Sequence, residues 1–363
     1  MPGFEEIQKS RIDHLLVETI KQVGVSNYSL IARLTGLNPE TVRYKVNRQL
    51  TRMGLGISVN VDFEGLGFKR GIFYVKASAI SGKSWLDHTN YLTFIGKVMG
   101  VDRYLCMYAV PYRLKKKYLD SLLYLQQSGV VEEVQPLDVS WVRYPSFRSE
   151  FYDFDRGCWQ VDWTRVEMTL RETGVASTLI NRDVKLDYFD LKILRYMQED
   201  PTSSIAKTAK EMNANPRTVR YHYAEHVLKS RFVLGHNVRW KRPATDGKPV
   251  DLMHLVFSLS QLSNEEMGVA RKIFNKIPFT WLEVGNEDNR YFAFLDTSLS
   301  NFHETVRFVE RNTDPIRNRL EMLTLDPLKT RSINIPDEMY DKERGWTLPI
   351  VRTVSETSKD GTA

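Results

Sequence analysis

Apolar positions near the start of the chain fall at helical spacing. Ile12, Leu15, Leu16 and Ile20 form one stripe and predict a first helix, and residues 28–34 predict a short second one. Gly36 and Leu37 make a turn. Asn38 then offers a side-chain oxygen to cap a third helix, and Pro39 suits its first position, where the missing amide would be unpaired in any case. Val42, Val46 and Leu50, at spacings of four, are the buried face of that helix, which turns Thr41, Arg43, Tyr44, Asn47 and Arg48 to other surfaces. Residues 57–63 alternate and are rich in branched side chains, the pattern of a wing strand.

The pattern then repeats. Asn38-Pro39-Glu40-Thr41-Val42-Arg43-Tyr44 returns as Asn215-Pro216-Arg217-Thr218-Val219-Arg220-Tyr221, and the same ungapped shift aligns Asp13 with Asp190, Ala32 with Ala209, and Asn60-Val61 with Asn237-Val238. A repeat of this length sets the architecture before any single residue is interpreted. Leu186, Ile193, Leu194 and Met197 give the first helix of the second copy, and Val219, Tyr223 and Val227 the core stripe of its third. Farther on, Tyr152-Asp153-Phe154-Asp155-Arg156-Gly157 matches Tyr340-Asp341-Lys342-Glu343-Arg344-Gly345.

Each copy continues in another period. Residues 251–260, 264–275, 279–285, 290–296, 299–311 and 316–325 read as strand, helix, hairpin, helix and strand, the order of a split β-α-β, ferredoxin-like sandwich. The first copy offers a strand at 71–79, a helical segment at 85–97, a shorter hairpin around Gly100, a helix at 113–127 and a strand at 130–140. The expected class is α+β: winged helix-turn-helix at 1–66, ferredoxin-like domain at 67–140, linker with a helix at 141–183, a second winged helix-turn-helix at 184–242, a second ferredoxin-like domain at 243–326, and an extended tail at 327–363.

Charge changes the picture by where it falls. The net +6 and pI near 9.0 favour a polyanionic partner without establishing one. Much of the excess lies on the third helices, with Arg43, Lys45, Arg48 and Arg52 against Glu40, and Arg217, Arg220, Lys229 and Arg231 against Glu225. Arg239, Lys241, Arg242 and Lys248 crowd a loop at 239–249 that reads as a phosphate-contacting wing. Cys106 and Cys158 have neither metal-ligand spacing nor a disulfide framework, and no long apolar run occurs, so a cytoplasmic protein with no membrane partner is expected.

Early residues of a reading helix meet base edges, and arginine pairs bidentately with guanine. Thr41, Arg43, Tyr44, Asn47, Arg48, Arg217, Thr218, Arg220, Tyr221, Lys241 and Arg242 are therefore the candidate contacts to double-stranded DNA. Tyr44 and Tyr221 could instead pack on the first helix. His222 and His226 stand one turn apart, as zinc ligands can, but have no cysteine or acidic third ligand beside them in sequence; no metal and no cofactor is expected. Trp159 and Trp346 fit packing of a folded-back tail better than a ligand cage.

A winged helix followed by a β-α-β-β-α-β sandwich resembles the Lrp/AsnC family of transcription regulators. Leu186-Asp187, Asp190 and Ile193-Leu194 are similar to that family's opening helix, as are Thr218-Val219-Arg220, Thr41-Val42-Arg43, Val61-Asp62 and Leu66-Gly67 to later motifs. The resemblance implies a DNA-binding regulator, in a tandem form able to make an intramolecular pseudo-dimer or a further homodimer. It also implies an effector site, such as one for an amino acid, at the glycine-containing hairpins through Gly100, Asp102, Gly285 and Asp288. Siroheme decarboxylases resemble the same two-part fold. Their hairpin carries a His-Asn-Tyr-x-Arg element, whereas this chain has Val101-Asp102-Arg103-Tyr104 and Glu287-Asp288-Asn289-Arg290-Tyr291, so catalysis is not expected. A third class, winged helices turned to protein interaction, predicts loss of basic residues from a reading helix, and both helices keep them.

Overall fold

The caps act where the sequence places them. In the computed structural model, which describes residues 4–77, 85–86, 89–168, 174–177, 186–241 and 251–348, helices α1 (Phe4–Val23), α2 (Tyr28–Thr35) and α3 (Pro39–Tyr44) form the first helix-turn-helix. Asn27 and Asn38 accept from Leu30 N and Glu40 N, caps that each stabilise by about 1 kcal/mol. The third helix runs on through a π-helical stretch, Lys45–Gln49, into α4 (Leu50–Arg52). Strands β1 (Leu55–Val61), β2 (Phe68–Lys76), β3 (Leu92–Val98) and β4 (Arg103–Pro111), helix α5 (Lys115–Gln127) and β5 (Glu133–Asp138) follow. The connection contains β6 (Trp141–Pro145), β7 (Tyr152–Asp153), β8 (Cys158–Trp159), α6 (Trp163–Met168) and β9 (Gly174–Ser177).

The second copy has α7 (Tyr188–Glu199), α8 (Ile205–Glu211), α9 (Pro216–Tyr221) and a π-helical stretch His222–Leu228, then β10 (Val233–Trp240). Its ferredoxin-like part is complete: β11 (Met253–Leu259), α10 (Asn264–Lys276), β12 (Thr280–Gly285), β13 (Tyr291–Thr297), α11 (Leu299–Asn312) and β14 (Leu320–Ser332). The tail adds β15 (Tyr340–Asp341) and β16 (Gly345–Trp346). Ser263 and Glu266 form a reciprocal capping box that starts α10. The first copy differs here. Residues 85–97, expected to be helical, place β3 at Leu92–Val98, where buried Leu92, Phe94, Ile95 and Val98 suit a strand covered on both faces.

The wing strands of the two copies meet. β1 and β10 pair with each other, antiparallel, so each copy's wing strand satisfies the other's backbone. The register obeys the repeat: Ser58 faces Asn237, the counterpart of Asn60, and Asn60 faces Gly235, the counterpart of Ser58. Such self-complementary pairing is the signature of a two-fold interface, here within one chain.

The two ferredoxin-like sheets also share strands. Their order is β5-β2-β4-β3-β14-β11-β13-β12-β6-β9, with β14 pairing first with β11 and then, past Leu325, with β3. Only residues 139–140 separate β5 from β6, yet Val139 N donates to Arg70 O on one sheet and Ser140 N to Gly285 O on the other. The strands therefore close around a core of Ile72, Phe94, Leu105, Met107, Val256, Leu282, Phe292 and Phe294. Each such side chain withdrawn from water contributes about 1.5–3 kcal/mol.

The remaining cores cross between copies. The first helix-turn-helix (Leu16, Val42, Val46, Leu50) packs in one cluster with Phe257, Phe274 and Phe308 of the second ferredoxin-like unit. The second helix-turn-helix (Leu191, Val219, Val227) shares a cluster with Phe73, Tyr118 and Leu122 of the first. Trp159 packs on Phe147, Tyr152 and Phe279, and Trp346 on Phe68, Tyr91 and Tyr340, so the repeated aromatic elements are structural seals.

Candidate nucleic-acid interface and the central cavity

Both reading helices are built alike. Asn38 and Asn215 cap them, accepting from Glu40 N at 2.9 Å and Arg217 N at 2.8 Å, and Val42 and Val219 are wholly buried beneath. Thr41, Arg43, Tyr44, Asn47 and Arg48 are exposed on the first, and Arg217, Thr218, Arg220 and Tyr221 on the second. Tyr44 and Tyr221, for which packing on the first helix was the alternative, are 49% and 58% exposed.

The helices differ in how their arginines are held. Arg43 Nη1 lies 3.2 Å from Glu40 Oε1, and its guanidinium sits 6.0 Å from the Tyr28 ring. Tyr28 OH donates to Asn47 Oδ1 at 3.1 Å. An exposed pair of this kind is worth little and breaks readily for a phosphate or base. Among the described residues, Arg217 and Arg220 have no ion-pair partner, so the second helix presents its positive charge uncompensated.

The basic wing is described only in part. Arg242 and Lys248 lie outside the described residues. Arg239 points inward: its Nη2 is 2.7 Å from Asp296 Oδ2, and its guanidinium lies 3.5 Å from the centre of the Trp281 ring. Lys241, whose backbone N bonds to Gly54 O, lines a cavity. Its side chain reaches solvent, yet the surrounding protein and then Arg239 lower the ammonium pKa.

Two adjoining cavities of about 190 and 420 Å³ open here, between the β1–β10 ribbon and the closed sheet. Arg239, Lys241, Phe94, Trp281 and Gln198 line both. Arg70, nearly buried, is held by Glu64 at 2.7 and 2.6 Å and by Tyr144 OH at 2.8 Å. Burial alone would raise the Asp296 carboxyl; Arg239 and His254 outweigh it and bring the pKa down to about 2. Among the described residues Arg239 Nε and Asn237 Oδ1 are buried without a hydrogen-bond partner. The cavity thus carries Arg239 and Arg70, each paired with a carboxylate, Lys241, the Trp281 indole beneath Arg239, and one donor and one acceptor without a partner among the described residues.

The hairpins named as effector sites are at the other end of the strands. Gly100 is exposed with φ +78°, and Asp102 is engaged by Lys97 at 3.1 Å. Gly285 is covered by Trp141, with its Cα opposite Trp141 in the β12–β6 ladder, and Asp288 is exposed beside Asn286. The structure brings none of these four into the cavity. Sequence reasoning missed Arg70 and Trp281, which lie far apart in the chain and carry no motif.

Residues 186–225 match the family model for a winged helix-turn-helix DNA-binding domain. No curated protein matches the chain in sequence. Among solved structures, the siroheme decarboxylase NirDL in complex with an iron-uroporphyrin III analogue matches with a TM-score of 0.53 and 11% identity, covering 90% of this chain and 94% of that one. AsnC of E. coli matches with a TM-score of 0.27 and 18% identity over 36% of this chain and 90% of its own. The chain is thus α+β, with winged helix-turn-helix and ferredoxin-like parts in tandem. Among the described residues no helix is long and apolar enough to cross a membrane. The expectation that the chain is no enzyme is overturned: its fold, over nine-tenths of its length, is that of a solved enzyme. The missing hairpin histidine does not exclude catalysis, since a site can be placed elsewhere on the same fold.

Proposed function

We propose that the chain is a sequence-specific regulator that binds double-stranded DNA through both reading helices, as an intramolecular pseudo-dimer. One observation carries this reading: two capped, exposed, basic helices on matched frames, the second with Arg217 and Arg220 unpaired among the described residues. The family match over 186–225 supports it. The test is selection of bound sites from random duplexes, then affinity for the selected site across a salt series. Enrichment of one sequence and a linear fall of log affinity with log salt are expected, because each neutralised phosphate releases counterions. A flat response with no enriched sequence would overturn the reading in favour of protein-binding winged helices.

The cavity favours a second reading. Lys241 and the partnerless Arg239 Nε in it, on a fold shared with a siroheme decarboxylase, suit a carboxylate-bearing tetrapyrrole as substrate. Mixing the chain with the iron-uroporphyrin III analogue tests it: a shifted Soret band in the wild type, lost in Arg239→Ala, supports this reading, and an unchanged band removes it.

A further inference from the structure

We propose that Asp187, Asp190, His222 and His226 bind a divalent transition-metal cation of the zinc class, which ties the second reading helix to the first helix of its unit. The sequence argued against metal because the two histidines lacked an acidic neighbour. The fold supplies two. Asp190 comes from 32 residues away to lie with its Oδ1 3.0 Å from His222 Nδ1 and its Oδ2 3.2 Å from His226 Nδ1. Asp187 Oδ2 is 3.5 Å from His222 Nδ1. One donor atom from each of the four residues falls within 4.8 Å of all the others. Around a tetrahedral zinc with bonds of about 2.0–2.1 Å, donor atoms stand roughly 3.3 Å apart, so only small adjustments separate this cluster from a closed site.

Local structure orients the donors. Asp187 is the N-cap of α7, and its Oδ1 accepts from Asp190 N at 3.0 Å, which leaves Oδ2 toward His222; Asp190 in turn accepts from Asp187 N. Backbone bonds of this kind hold carboxylate ligands in place. Two imidazole nitrogens and two carboxylate oxygens form a mixed set that suits zinc and its neighbours better than calcium or magnesium. Asp187 is 47% exposed and His226 31%, so an ion can enter from solvent.

The first copy provides an internal comparison. There the counterpart Asp13 is equally buried, and Lys45 Nζ sits 2.6 Å away, with Gln49 Nε2 at 3.0 Å. A buried carboxylate needs a compensating cation, and the first copy carries one as an ammonium. In the second copy Lys45 and Gln49 become His222 and His226, and Ser10 becomes Asp187. One built-in cation is gone and three metal donors have arrived. Because His222 directly follows α9, the ion would set the angle of the helix that carries Arg217 and Arg220.

The experiment uses the untagged, metal-stripped full chain, titrated with Co²⁺ for the visible absorption of a tetrahedral ion and with Zn²⁺ by calorimetry. The control is His222→Lys with His226→Gln, which installs the first copy's own cluster and so keeps the fold. The wild type should take up one equivalent and melt at a higher temperature with Zn²⁺; the double variant should do neither. Asp187→Asn, which preserves the cap, should bind at least about tenfold more weakly, as loss of a metal-orienting carboxylate does. No uptake by the wild type, or uptake by the double variant as tight as the wild type's, would overturn the proposal.

Discussion

Arg220 and Arg239 carry one charge in opposite settings. Arg220 has no ion-pair partner among the described residues and is exposed on a reading helix, so Arg220→Ala should cost about 1–3 kcal/mol on the preferred duplex and relax base choice locally, as read by titration against specific and random DNA. Arg239 is paired in the interior, and Arg239→Ala leaves Asp296 buried with His254 alone; a loss on the order of 3 kcal/mol in denaturant unfolding is expected. His236 gives the pH dependence. It lies over Gly24, across the two copies, and burial lowers its pKa to about 4 from the usual 6.5. Between those values the unfolded chain binds a proton that the folded chain refuses, so stability is full above pH 6.5 and falls as pH drops toward 4, by roughly 3 kcal/mol. Urea midpoints measured across that window should fall steeply for the wild type and less for His236→Gln. Equal slopes would show that another group governs.

Elements whose information is local were legible in the sequence. Caps at Asn38 and Asn215, the Val42 and Val219 stripes, and all six elements of the second ferredoxin-like unit follow from spacing and capping chemistry alone. Elements that depend on a distant partner were not. Residues 57–63 have the alternation of a strand, but nothing local says that its partner is β10 and not a neighbouring wing strand. The helix expected over 85–97 is similar: buried on both faces, β3 reads as an apolar run that suits helix or strand. Strand β2 offers a direct test of close packing. A Cβ at Gly71 would stand 2.1 Å from the fully buried Tyr108 ring, which would have to shift. Gly71→Ala should lower stability by about 1–3 kcal/mol in chemical unfolding, with the reading helices unaffected in DNA titrations. A neutral effect would mean that the β2–β4 contact relaxes freely.

In the whole molecule, the β1–β10 ribbon and the crossed cores hold two unlike reading helices in one chain. Exposed Glu40 and Asn47 on one correspond to Arg217 and Ala224 on the other, so the bound duplex should contain two different half-sites about one helical turn, roughly 34–36 Å, or a multiple apart. Footprinting checks this; a palindromic operator taking one chain per half-site would show pairing between chains instead. The sequence by itself determined the repeat, the helix-turn-helix caps, the basic faces and the order of the second sandwich, because hydrophobic period, capping and charge are encoded within a few turns of chain. Only the tertiary structure decided that each helix-turn-helix packs on the other copy's sandwich, that the sheets close through β14 and β6, that Arg239 and Lys241 line a cavity, and that Asp190 stands between two histidines. Those contacts join residues tens to hundreds of positions apart, and no local pattern specifies which of several apolar faces or strand edges will meet until both are folded.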